Sequence, residues 1–269
     1  MITLHTLASG SSGNALLVSC GDTHILIDAG ISCRRITASL RELSLSLQDL
    51  NALFITHTHA DHVSGLATLL KRTAFPVYAT AAAGRCLPVE DGRLRQIAPG
   101  ETVETGECAV TAFSTSHDAP GACGYRLDAP GESLGVITDT GFVPAEAEAA
   151  LLGADLVVLE ANHDVETLRS GPYPDYLKAR ILGRRGHLSN DDAARLAVTL
   201  AERGTREIVL AHLSRENNTP AMAEGAVKRA LSAEGLSAGV SVAPRDSLSR
   251  TYTVRRNVCR GSSSSVWES

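Results

Sequence analysis

Four side chains of metal-binding type fall within six residues, in Thr56-His57-Thr58-His59-Ala60-Asp61-His62, directly after the apolar run Leu53–Thr56. This H-x-H-x-D-H spacing restricts the chain more than any other feature, because four ligands so close together suit two adjacent cations. In an extended segment His57, His59 and Asp61 share one side, and a turn at Ala60-Asp61 lets His62 swing round. Imidazole with carboxylate favours zinc, manganese or iron over calcium, and the lack of a nearby cysteine argues against a purely structural tetrahedral zinc site. The ordinary alternative is a His-rich surface turn, and the downstream partners of the cluster displace it.

Those partners follow from the pattern of elements. Ile2–Leu7, Ala15–Ser19, Ile25–Ile27, Leu53–Thr56, Val110–Ser114, Leu134–Thr138, Leu156–Leu159 and Ile208–Leu210 read as short strands. Val63–Arg72, Ala145–Leu152, Asp191–Arg203 and Ala221–Glu234 have helical spacing, with Asn190 and Thr219-Pro220 as starts. The whole is a layered α/β pattern. Sites in such proteins form just beyond the carboxyl ends of strands, and three of these strands run into His57, Asp139 and His212. No linker or repeat divides the chain, so residues 1–259 read as one domain and the low-complexity residues 260–269 as a flexible polar tail.

Composition excludes other classes. With 43% apolar and 20% charged residues, the chain is neither disordered nor fibrous. No apolar run approaches the ~18–20 residues that span a bilayer, and the first residues lack a leader pattern, so the expectation is a cytoplasmic protein with no membrane partner. The six cysteines include no C-x-x-C pair, which fits reduced thiols. A net charge of −5 weighs against nucleic acid, but the average hides a reversal. Residues 139–168 carry seven carboxylates and no Lys or Arg, whereas Arg169–His187 sets five cations against Asp175, a local balance of +4.

Taken together, H-T-H-A-D-H, His117, Asp139 in Thr138-Asp139-Thr140-Gly141, and His212 resemble the metallo-β-lactamase superfamily. The resemblance implies a four-layer αββα sandwich, two mixed β-sheets flanked by helices, with a two-metal hydrolytic site. It implies His57, His59 and His117 on a first metal, Asp61, His62 and His212 on a second, Asp139 bridging, and a water or hydroxide between the ions. A bridging aspartate separates this chain from the true β-lactamases, which commonly place Cys in the second site. Leu7–Asn14, Glu160-Ala161-Asn162-His163-Asp164, Gly186–Asn190 and His212–Asn218 are similar to the bacterial WalJ/YycJ-type proteins, regarded as two-metal nucleases with 5′-to-3′ exonuclease action on duplex DNA. The same Glu, His, His order resembles the tRNA 3′-processing endonucleases of the superfamily. By that analogy Glu160 orients His187, and His187 protonates the leaving oxygen; with Asp61 these are the expected catalytic residues.

The physical logic agrees. Two divalent ions opposed by Asp61, Asp139 and hydroxide leave a site of about +1 that attracts a phosphodiester more than a neutral ester. The departing alkoxide needs a proton, and an imidazole held by a carboxylate is suited to give it. Partner and cofactor expectations are therefore double-stranded DNA and two Mn2+ or Zn2+ ions per chain. Candidate substrate contacts are Ser11, Ser12 and Asn14 in a Gly/Ser turn, Arg184 and Arg185 in the basic stretch, and His163, Asn217 and Asn218 near the strand ends. With 4% aromatic residues, backbone contacts are favoured over base stacking. His5 and His24 lie inside strands and read as structural. The rivals are a glyoxalase II-like thioesterase or lactonase, which leaves Glu160 and His187 without a task, and a binding module without turnover, whose sign, a missing ligand, is absent.

Overall fold

Strands that are apolar on both faces need a covering layer on each side. The computed structural model describes residues 1–90 and 92–254. In chain order the first strands are β1 (Ile2–Ala8), β2 (Ala15–Cys20), β3 (Thr23–Ile27), β4 (Leu50–Phe54), β5 (Val77–Ala79), β6 (Leu94–Gln96) and β7 (Thr102–Thr105). There follow β8 (Cys108–Ser114), β9 (Cys123–Ala129), β10 (Glu132–Ile137), β11 (Leu156–Glu160), β12 (Glu207–Ala211), β13 (Gly239–Val242) and β14 (Tyr252–Thr253). The helices are α1 (Cys33–Glu42), α2 (Ala60–Val63), α3 (Leu66–Leu70), α4 (Ala81–Gly84), α5 (Ala145–Leu151), α6 (Val165–Ser170), α7 (Asp175–Leu182), α8 (Asn190–Glu202) and α9 (Pro220–Ala233).

Two seven-stranded mixed sheets result, ordered β14-β1-β2-β3-β4-β5-β6 and β13-β12-β11-β10-β9-β8-β7. Both follow one plan: strands pair antiparallel as far as β3 or β10, then run parallel. Alternation sorts the side chains into layers. Ile25 and Ile27 of β3, with Leu156 and Val158 of β11, enter the apolar cluster between the sheets. Leu26 faces the helices on the first sheet, and Val157 and Leu159 face those on the second. Tyr125 ties the sheets together, its hydroxyl donating to the Ile55 carbonyl at 2.6 Å. The fold is thus the αββα sandwich expected, and the carboxyl ends of the parallel strands gather at one edge.

Local differences have local causes. The expected helix over Val63–Arg72 breaks into α2 and α3 because Gly65 presses on the loop after β3. Its amide donates to the Ala29 carbonyl at 2.8 Å, and a Cβ there would lie 2.0 Å from the Ile31 carbonyl oxygen. α8 starts at Asn190 as expected, and Ser189 caps it, its side chain accepting the Asp192 amide. β9 escapes the sequence pattern because Gly124, Arg126 and Asp128 interrupt its apolar run, and β5, β6 and β14 are too short to show a period. His5 bonds Thr251 and His24 bonds Ser19, both away from the strand-end edge. No helix among the described residues is long and apolar enough to cross a membrane. The end of the expected domain, 255–259, and the expected tail, 260–269, lie outside the described residues.

Candidate metal centre

The chain leaves β4 at Phe54, bends at Thr56, and starts α2 at Ala60 with His59 in the cap position. That early helix start divides the cluster, because Asp61 and His62 turn away within the first helical turn while His57 and His59 stay on the extended side. His57, His59 and His117 form one group whose ligand atoms lie within 4.8 Å of one another, and Asp61, His62 and His212 form another. Within the first, His117 Nε2 is 3.1 Å from His59 Nδ1. Within the second, Asp61 Oδ2 is 3.4 Å from His212 Nε2 and 3.6 Å from His62 Nε2. Asp139 faces both groups, with Oδ2 3.2 Å from His62 Nε2 and Oδ1 3.8 Å from His117 Nε2.

Whether these residues fit cations can be read from atoms left over. His57 Nε2 and Asp139 Oδ2 are buried and make no hydrogen bond. Leaving such groups unmet is costly unless an ion satisfies them. The donor set, imidazoles with carboxylates and no thiolate, suits divalent metals. Burial pulls His57 down to about 2, so it is neutral, the form that binds metal. Burial opposes a charge on His62 too, but the Asp139 and Asp28 carboxylates override it and carry the imidazole up to about 10. Without cations, protons on the imidazoles balance the carboxylates; cations displace them.

The outward nitrogens of four imidazoles are each near an oxygen of the chain. His57 Nδ1 is 3.1 Å from Thr56 Oγ1, His62 Nδ1 is 2.7 Å from Asp28 Oδ2, His117 Nδ1 is 3.0 Å from the Gly186 carbonyl, and His212 Nδ1 is 3.0 Å from Glu160 Oε1. Such partners fix the tautomer and aim the opposite nitrogen inward. Asp28 was not among the residues singled out by sequence. It also accepts the Thr56 amide and hydroxyl, both at 2.8 Å. A signal for it existed: Asp28 follows Ile25–Ile27 as Asp139 follows β10, at the same switch from antiparallel to parallel pairing. Both residues, like His212, take left-handed backbone, with φ of 60°, 57° and 57°. Non-glycine residues there store strain of ~1–3 kcal/mol, which persists where surrounding structure over-determines it. Replacing Asp28→Ala should therefore weaken uptake of the second ion ~10–100-fold with little change at the first, as read by metal titration of the metal-free protein.

Glu160, at the end of β11, is fully buried and accepts the Thr140 and Leu188 amides at 2.9 and 3.2 Å. Its Oε1 lies 2.8 Å from His187 Nδ1. Burial resists its ionisation, and the His187 and His212 imidazoles outweigh this, holding it down at about 2. His187 keeps 21% of its side chain exposed, in a 170 Å3 cleft shared with Ser11, His117, Asp118, Tyr173 and Arg185. Tyr173 lines this cleft, so one tyrosine reaches it despite the low aromatic content.

The remaining sequence candidates divide by burial. Ser11 and Ser12 are exposed, but Asn14 is buried, its Oδ1 accepting the Gly10 amide and its Nδ2 3.0 Å from His62 Nε2. Arg184 and Arg185 are exposed; Arg184 stacks over Phe142 at 4.3 Å, and Arg185 donates to the His117 carbonyl at 3.2 Å. Asn217 and Asn218 are buried braces: Asn217 donates to Ser214 Oγ, and Asn218 exchanges hydrogen bonds with Asn190 and donates to the Ala161 carbonyl. His163 is 1% exposed with neither ring nitrogen bonded, and burial draws it down to about 4, so it is a neutral interior group outside the ligand clusters.

Comparison with known proteins agrees with this architecture. The β-lactamase superfamily domain profile matches residues 23–213. Exodeoxyribonuclease WalJ of Streptococcus pneumoniae is 35% identical over 254 residues, 92% of this chain and 94% of that protein. Exodeoxyribonuclease YycJ of Bacillus anthracis is 35% identical over 238 residues, 87% and 90% of the two chains. Among solved structures, the metallo-β-lactamase fold protein YhfI of Bacillus subtilis superposes with a TM-score of 0.71 at 18% identity, over 93% of this chain and all of that one. The short form of human tRNase Z gives 0.63 at 18% identity, over 94% and 100%.

Proposed function

The chain belongs to the β-lactamase superfamily, alongside the WalJ and YycJ exodeoxyribonucleases, and from that premise we propose that it is a two-metal nuclease digesting double-stranded DNA from 5′ to 3′. The observation that carries the reading is His187, bonded to buried Glu160 and open to the cleft beside both ligand clusters. His57, His59 and His117 would hold one ion, Asp61, His62 and His212 the other, and Asp139 both. Bound there, Mn2+ or Zn2+ would supply Lewis acidity toward the phosphate and a nucleophile at neutral pH.

The chain's own groups do the rest. Glu160 accepts the Nδ1 proton of His187 and is itself held by two backbone amides, so Nε2 is the nitrogen turned to substrate. From Nε2 a proton passes to the oxygen that leaves phosphorus. Asp61 Oδ2 faces His212 Nε2 at 3.4 Å across the second cluster, where both would meet the ion. Ser11 and Arg185 at the cleft, with Ser12 and Arg184 next to them in the chain, would meet flanking phosphates. A thioesterase of glyoxalase II type would use the same ligands but has no need of the Glu160–His187 pair.

End-labelled duplex and single-stranded DNA and RNA, each incubated with manganese, zinc or magnesium, test the proposal by product length. Progressive shortening of duplex DNA from its 5′ ends is expected. Turnover of thioesters with every nucleic acid left intact would overturn it. Changing Arg184 and Arg185 to Gln should flatten the dependence of log affinity on log salt by ~2, about 0.9 per lost phosphate contact. An unaltered slope would place both side chains in solvent.

A further inference from the structure

His59 is the imidazole of the first cluster that packing holds least. Its side chain is 33% exposed, against 1% for that of His117, and His57 is buried; His59 caps the four-residue α2 without a side-chain cap hydrogen bond. Its Nδ1 faces His117 Nε2. Its other nitrogen, Nε2, lies 3.4 Å from Asp118 Oδ1, a buried oxygen with no hydrogen bond. The same oxygen is 3.5 Å from His117 Nε2. Asp118 Oδ2 accepts from Arg180 Nε of α7 at 2.6 Å. Each of the other four ligand imidazoles has its outward nitrogen near a chain oxygen, and Asp118 stands in that place for His59.

We propose that Asp118 is a positioning residue of the metal centre, keeping the His59 proton on Nε2 so that Nδ1 is presented to the first ion, with Arg180 clamping Asp118. A neutral imidazole carries one proton, and a carboxylate beside one nitrogen decides which carries it. The clamp crosses from the loop after β8 to α7, so the basic arm and the first ion site are held in one register. This inference rests on the metal-dependent reading above.

The test uses the full metal-free chain titrated with Zn2+ or Mn2+ against a chromophoric chelator. Wild type should take up two ions; Asp118→Ala should lose ~10–100-fold in affinity for one of them and keep the other. Arg180→Ala, at an exposed position that leaves folding intact, should lose part of the same affinity, and the double variant should lose no more than Asp118→Ala alone. Nitrogen-15 spectra of labelled histidines should show His59 protonated at Nε2 in wild type and mixed in Asp118→Ala. Wild-type affinity in Asp118→Ala, additive losses in the double variant, or a His59 proton on Nδ1 would each overturn the inference while leaving the nuclease reading intact. A wild-type chain that takes up no ion removes both.

Discussion

His187→Ala is expected to keep both metal ions and lose cleavage of duplex DNA by ~10²–10⁴-fold, equivalent to ~3–5 kcal/mol of transition-state stabilisation. The two effects separate because His187 lies outside the two proposed ligand sets: it falls within 4.8 Å of ligand atoms of Asp139, Glu160 and His212, but its Nδ1 is engaged by Glu160 and its ring stands in the cleft. Truncation leaves Glu160 its two backbone amides and His212, so the buried carboxylate remains satisfied and the fold should persist. A substrate with a good leaving group, such as a nitrophenyl phosphodiester, needs no proton on departure and should suffer far less. Equal losses on both substrates would remove His187 as the acid.

A larger loss is expected from His62→Ala, which should hold one ion instead of two and show no cleavage above background. His62 is completely buried between Asp28 and Asp139, and its Nε2 lies near Asp61. Removing it would take a ligand from the proposed second ion and would leave two carboxylates without their partner, a combination that costs stability as well. Asp61→Ala separates these causes. Asp61 has 24% of its side chain exposed, so the variant should fold normally and still lose the second ion. Metal content by atomic spectroscopy decides the matter, and two ions per chain in Asp61→Ala would contradict the ligand grouping.

Much of the scaffold was legible from local pattern. β-branched runs marked most strands of both inner layers, and Thr219-Pro220 marked the start of α9. The ligand types were legible as well, because His57 to His62 crowd one strand end and Asp139 and His212 each follow another. Asp28 was passed over although it directly follows a strand, as Asp139 nearly does, and Asp118 carried no such mark; neither position by itself names the partner. A single carboxylate in a loop looks the same whether it meets water or an imidazole, and only packing places Asp28 2.7 Å from His62 Nδ1 and Asp118 3.4 Å from His59 Nε2. The two asparagines after His212, read as loop-shaping residues or substrate contacts, are buried and brace the loop through hydrogen bonds to Ser214, Asn190 and Ala161.

By itself the sequence determined which atoms are available for metal and proton chemistry, and that strands deliver them, since strand period and residue type are local properties. Tertiary structure alone decided their grouping: Asp61 meets His212 across 151 residues of chain, and Glu160 meets His187 across 27. Those meetings depend on two sheets stacking with their parallel strand ends at one edge. Long-range packing of apolar faces, which no short stretch encodes, sets that stacking.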